Sequence, residues 1–247
     1  SLFLVLALIL TWVPNIGVYA QAEGTESTTT QNLPLDKSYR IKTTEGVASN
    51  NGYALGMTAP KYGGSTSSYV EEIEGGGFCR IEALNGKIYI ETYRADYKLL
   101  STKTIKYELP KFGGYFKGKD ARYIVYGQNN HGSDKTKEVV RVVKYDDDWN
   151  KLGQCSIANE NVYEPFAAGP LHMAESDGIL YIHTSRYLYW DAEKDVARIH
   201  HEVNLTYVVD EDSMECVMRE APGDWVSHSF AQYILSDGEY VYRLDLG

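Results

Sequence analysis

The chain has 247 residues, with 34 acidic against 24 basic side chains and a formal net charge of -10. A field of that sign repels phosphate, so no nucleic-acid partner is expected and anionic lipid is disfavoured, while neutral sugars and peptides are unaffected. Cys79, Cys155 and Cys216 are too few and too far apart for a disulfide framework; they allow one bridge at most, or else act as small buried hydrophobes.

Residues 1–20 read as a signal peptide. The apolar run from Ser1 to Val13 gives way to Pro14 and Gly17, and Val18 and Ala20 are the small residues that precede a cut after Ala20, with Ala22 as the alternative. The run is short for a bilayer span, so no membrane span is expected once it is cleaved. No Met and no basic segment precede it, which predicts further residues upstream of Ser1. Residues 21–38, rich in Thr, Ser, Gln and Glu, are predicted to be a flexible linker, because they bury too little apolar surface to offset ordering. The remaining 39–247 form the expected globular domain.

In that domain 21 Tyr stand against 6 Phe over the whole chain, and short runs of Val, Ile, Thr and Tyr alternate between Gly, Asn and Asp. One unit recurs. It reads Phe78–Ile81, Asn85-Gly86, Tyr89–Glu91; then Gly114-Tyr115, Lys119-Asp120, Tyr123–Val125; then His172-Met173, Asp177-Gly178, Tyr181–His183; then Gln232-Tyr233, Asp237-Gly238, Val241–Arg243. Asn-Gly and Asp-Gly tolerate the two positive φ angles of a type I′ turn, so three copies carry a hairpin signal and Lys119-Asp120 requires another turn. A second hairpin follows, since Tyr93–Leu100 and Tyr145–Leu152 align without a gap, and Val208–Met214 is a weaker version. Two hairpins per unit predict an all-β fold: a partial β-propeller of four-stranded antiparallel blades, with an antiparallel β-sandwich as the alternative. The last copy stops at Leu246-Gly247, so the domain is predicted to be truncated there, with more blades beyond.

The stretch from about Phe112 to Asp237, with Ile124–Asn130, Val142–Tyr145, Ala174–Ser185 and Val226–Phe230, resembles secreted β-propeller-like surface proteins of anaerobic Gram-positive gut bacteria. The resemblance covers about half the chain. It implies architecture and a secreted or cell-surface location, and no activity.

The innermost strand of a propeller blade lines the channel, so the position six residues before each turn glycine (or Asp120) identifies Arg80, Gly114, His172 and Gln232. Arg80, His172 and Gln232 are the candidate channel ligands. A second candidate set, Gln128, Asn129, Asn130, His183 and Arg186, follows the strand-opening aromatics, where amide, imidazole and guanidinium groups beside tyrosines suit a glycan or a peptide. No metal site and no cofactor are expected: HExxH and zinc spacings are absent, and Asp146–Asp148 lacks the Gly and terminal Glu of a calcium loop. Ser227-His228-Ser229 lacks the surroundings of a nucleophile elbow, and the carboxylates Glu82, Glu91, Glu175 and Asp177 have no legible pairing. The expected function is an extracellular binding module for a glycan or protein ligand; the alternative is part of a polysaccharide-acting hydrolase or lyase with catalytic residues elsewhere.

Overall fold

Side-chain alternation decides the faces of the first sheet. The computed structural model describes residues 66–159, 161–167, 169–188, 201–224 and 231–246. The predicted signal peptide, the predicted linker and the first part of the predicted domain therefore lie outside the described residues, as do Ser227, His228 and Ser229. Strands β1 (Ser68–Ile73), β2 (Gly77–Leu84), β3 (Lys87–Tyr93) and β4 (Leu99–Lys106) form an antiparallel sheet in chain order. On β2, Cys79, Ile81 and Ala83 are buried on one face with Ile88 and Ile90 of β3, while Arg80 and Glu82 take the other.

The second sheet repeats the order with β5 (Lys111–Lys117), β6 (Arg122–Gly127), β7 (Glu138–Tyr145) and β8 (Lys151–Ala158). Every residue of β6 is buried, because both of its faces are covered. The short β9 (Glu164–Pro165) then pairs with the end of β11 (Ile179–Tyr187). With β10 (His172–Ser176), β12 (Glu202–Asp210) and β13 (Cys216–Met218), β11 builds the third sheet, and β14 (Ala231–Ser236) with β15 (Val241–Leu246) makes a hairpin.

Two apolar clusters show how the sheets stack. Ile81, Ile88 and Ile90 of the first sheet meet Ile124, Tyr126, Val143 and Tyr145 of the second. From the opposite face of the second sheet, Tyr123, Val125, Val142 and Ile157 meet Leu180, Ile182, Leu205 and Tyr207 of the third. The first strands of successive sheets adjoin: β10 touches both β5 and β14, and Tyr69 of β1 lies edge-on to Tyr115 of β5 at 5.4 Å. Four-stranded meanders stacked face to face around a shared inner edge are the blades of a β-propeller. A two-sheet sandwich gives each sheet one covered face, whereas the second sheet here has two.

Turn chemistry accounts for the repeat. Asn85-Gly86 (φ 50° and 75°) and Asp177-Gly178 (φ 52° and 76°) are two-residue turns with both angles positive, as a type I′ turn requires. Asp237-Gly238 departs from the expectation. Ser236 pairs with Val241 across a longer loop, and the Asp237 carboxylate instead accepts from the amides of Glu239 (2.9 Å) and Tyr240 (2.7 Å). In the 93–100 and 145–152 hairpins the aligned residues Tyr97 and Trp149 are both left-handed, at φ 64° and 63°, and Met214 (φ 55°) occupies the same place in the third version.

The first repeat copy is one strand out of register. Phe78–Glu91 spans β2 and β3, whereas the other copies span the first and second strands of their sheets. The strand equivalent to β5, β10 and β14 is β1, where Glu71 and Glu72 interrupt the apolar pattern and Glu74-Gly75-Gly76 replaces the Asn-Gly turn.

Acid should weaken this fold. Hydrogen bonds from Ser213 hold the Asp210 carboxyl below its ordinary range, those from Asn150 do so for Asp146, and those from Tyr240 and Tyr242 for Asp237. A carboxylate whose folded pKa is depressed stabilises the native state above its unfolded pKa of about 4, and the contribution disappears as pH falls through the folded value. Burial raises the pKa of Glu211, so that single group acts in the opposite sense. Thermal melts should therefore show a lower Tm at pH 3 than at pH 6; a flat profile would contradict the turn assignments.

Candidate functional site

Two glycines make room for an aromatic ring where β5 begins and β6 ends. A Cβ at Gly113 would come within 2.7 Å of the Phe166 ring, and a Cβ at Gly127 would meet the same ring. Phe166 is held left-handed at φ 60°, its amide donating to the Ser185 carbonyl at 2.9 Å, just after β9 pairs with Arg186 and Tyr187. Beside that ring opens a cleft of about 380 Å³, lined by Tyr107, Lys111, Phe112, Pro165 and Phe166, with Ser67 and Ala83. Tyr107 and Phe112 stack with centroids 6.0 Å apart.

A charged edge borders the cleft. Lys111 Nζ donates to Glu164 Oε2 at 3.3 Å, and His131 Nε2 lies 3.0 Å from Glu164 Oε1. The His131 ring stacks on Tyr163 at 4.3 Å, and its side chain is 52% exposed. Burial works to raise the Glu164 pKa, but the charge of Lys111 and the hydrogen bonds from His131 and Lys111 outweigh it and leave the carboxyl below its usual range. Aromatic faces and the Lys111 ammonium line the opening, and the Glu164 carboxylate links Lys111 to the exposed His131 imidazole.

A second opening of about 380 Å³ lies among Lys135, Asn159, Asn161, Arg219 and Glu220. Its walls are polar, and Glu220 is engaged by Arg186 Nη1 at 2.6 Å and Asn161 Nδ2 at 3.3 Å.

Of the predicted channel residues, His172 and Gln232 do meet. They lie on the inner strands β10 and β14, where His172 Nδ1 is 2.5 Å from the Gln232 carbonyl oxygen and its ring stacks on Tyr233 at 4.7 Å. Arg80 is elsewhere. It belongs to the second strand of its sheet, and its guanidinium bridges Glu82 (2.7 Å) and Glu91 (3.0 Å), with Tyr93 Oη also donating to Glu91 at 2.7 Å. The inner strand of this sheet is β1, which the repeat pattern did not reveal, so Arg80 is not a channel residue.

The second predicted set is mostly interior. Asn130 is fully buried and exchanges hydrogen bonds with the backbone of Asp134, pinning its own loop, and Gln128 donates to the Glu138 carbonyl at 2.7 Å. Asn129 is half-buried beside them. His183 is buried in the seam between the third sheet and the β14–β15 hairpin, against Thr206 Oγ1 (2.9 Å) and Asp245 Oδ1 (3.2 Å). Arg186 is buried on Glu220. His183 and Arg186 turn inward because the third sheet lies between the second sheet and the β14–β15 hairpin. No group of three His, Cys, Asp or Glu side chains gathers as metal ligands among the described residues. Asp146 is a turn residue, accepting from the Asn150 amide at 2.7 Å.

Tyr107, Lys111, Phe112, Tyr163, Glu164 and Phe166 were not among the predicted site residues. The signal available for them was the glycines: Gly113-Gly114 and Gly127 within strands mark a close approach.

No protein-family model matches the chain, and no curated protein matches its sequence. Among solved structures, cobalt-substituted Synechocystis ACO shares 10% identity at a TM-score of 0.42, over 65% of this chain and 39% of that one. An ACO/RPE65 chimera in a monoclinic crystal form shares 10% identity at a TM-score of 0.42, over 63% of this chain and 38% of its own. This chain thus spans about two-fifths of the length of the solved chains it is similar to.

Proposed function

We propose that the chain is an extracellular binding module of a secreted or cell-surface protein, and that the aromatic cleft at Tyr107, Phe112 and Phe166 takes a glycan. The observation that carries this reading is the cleft itself: its aromatic faces would stack on the apolar side of a sugar ring, while Lys111 on its wall, and Glu164 and His131 joined to Lys111, offer partners for hydroxyls. The predicted signal peptide, and the resemblance to secreted propeller-like surface proteins, support the location.

The enzymatic alternative draws on the convergence of Glu82 and Glu91. A glycoside hydrolase needs its two carboxyl groups on either side of the scissile bond, roughly 5 to 10 Å apart. Here one guanidinium joins both carboxylates and fills the space between them, which favours a structural role. A polysaccharide pull-down with product release monitored in the same wells tests the choice. Retention of a neutral glycan without new reducing ends or unsaturated sugars is expected, and His131→Ala should weaken it about tenfold, a loss of about 1.4 kcal/mol. Product release would overturn the binding reading.

A further inference from the structure

We propose that Cys155 and Cys216 are a redox pair whose disulfide staples the outer strand of the second sheet to the outer strand of the third. Cys155 lies on β8 and Cys216 on β13, strands of different sheets that touch. Cys155 is part of one apolar cluster and Cys216 packs against it, close enough for each thiol to shift the pKa of the other. Cys79 is packed in the other cluster, between the first and second sheets, so the fold selects one pair out of the three cysteines. The thiol of Cys216 also donates to the Met218 carbonyl at 3.2 Å, and both cysteines are free in this structure.

The two sulfurs differ in a way that orders the chemistry. Cys155 is 3% exposed, whereas Cys216 is only half-buried and accessible to a reagent. The hydrogen bond from Cys155 lowers the pKa of Cys216, with the charge of Arg219 acting in the same direction, and the same bond raises that of Cys155. Cys216 thiolate therefore attacks one sulfur of an oxidant disulfide, such as oxidised glutathione, and expels the other half as a thiolate. Cys155 then loses its proton and attacks the Cys216 sulfur of the mixed disulfide, expelling the second half. Two protons and two electrons leave the cysteines, and the oxidant is reduced to two thiols. Burial pushes the Cys79 thiol up to about 11, so it does not compete.

The bond would close a loop of about 60 residues, which removes freedom from the unfolded chain. It would also fasten β13, a strand of three residues, to its neighbouring sheet.

The full 247-residue chain, incubated with oxidised glutathione and digested without reductant, tests this directly. The expected result is a peptide pair joining Cys155 to Cys216, about 2 Da lighter than the two reduced peptides, with Cys79 alkylated only after denaturation. Oxidation should raise Tm by about 5–10 °C, and the double variant Cys155→Ser, Cys216→Ser should show no response to oxidant or reductant. A bridge involving Cys79, a bridge between chains, or Cys155 and Cys216 both still alkylated after oxidation overturns the proposal. The peptide map decides on the native chain alone if the double variant fails to fold.

Discussion

Replacing Arg122 by Met should lower stability by about 3–5 kcal/mol, the cost of leaving a buried carboxylate without its partner. Arg122 and Glu71 are 6% and 8% exposed, and they join β6 of the second sheet to β1 of the first. Nε and Nη2 of Arg122 donate to the two oxygens of Glu71 at 3.4 and 3.2 Å, and Nη1 donates to Asp147. The guanidinium also lies over the Trp149 ring, 5.3 Å from its centroid, and Trp149 stacks in turn on Tyr115. Burial works against the charged guanidinium, yet the hydrogen bonds and charge of Glu71 and Asp147 outweigh it and raise its pKa. Lys117 is 3.3 Å from Glu71 but largely exposed, so it screens the orphaned carboxylate only in part.

Urea unfolding measures the effect, with the midpoint falling at unchanged slope. The double variant Arg122→Met, Glu71→Leu should recover most of the loss, because an apolar pair of similar volume needs no partner. If Arg122→Met alone costs less than about 1 kcal/mol, the pair is solvated and the interface between the first two sheets rests on its apolar cluster.

How much of this was legible in the sequence depends on whether a feature is local. Asn85-Gly86 and Asp177-Gly178 announce their turns because both dipeptides tolerate φ > 0, and the gap-free match of the two hairpins pairs Tyr97 with Trp149, which share a left-handed backbone in the structure. β1 escaped because Glu71 is buried only by its pairing with Arg122, a partner 51 positions away. With Glu71 counted as polar, the strand shows little alternation, and the first repeat was matched to the wrong hairpin. The candidate site failed for a related reason. Tyr107, Phe112 and Phe166 come from three parts of the chain, and only the crossing of residues 161–167 over Gly113 and Gly127 brings them together. Conversely, His183, Arg186 and Asn130 look like ligand groups by type and are interior by position.

That interior polarity concentrates at one seam, and Asp224 is its hub. Its side chain is fully buried. It accepts from the Thr206 amide (2.9 Å) and hydroxyl (2.9 Å), the Ala221 amide (2.7 Å) and Arg243 Nη1 (2.8 Å). Since the single hydroxyl proton of Thr206 goes to Asp224, the contact of that oxygen with His183 requires Nδ1 of His183 to be the donor. Arg243 comes from β15, so the hub ties the terminal hairpin to β12 of the third sheet. A two-stranded hairpin is marginal by itself, and this one leaves Tyr233, Leu235, Tyr242 and Leu244 exposed on its other face. Asp224→Ala should therefore act locally: about 3–5 kcal/mol is lost where Thr206 and Arg243 are left unsatisfied, and the hairpin opens before the rest. Hydrogen exchange reads this out. Amides of β14 and β15 should lose protection about 100-fold or more, while those of β6 and β7, which lie between two apolar clusters, keep theirs. Equal loss in β6 and in β14 would mean that the sheets unfold as one unit and that the hub holds the whole stack together.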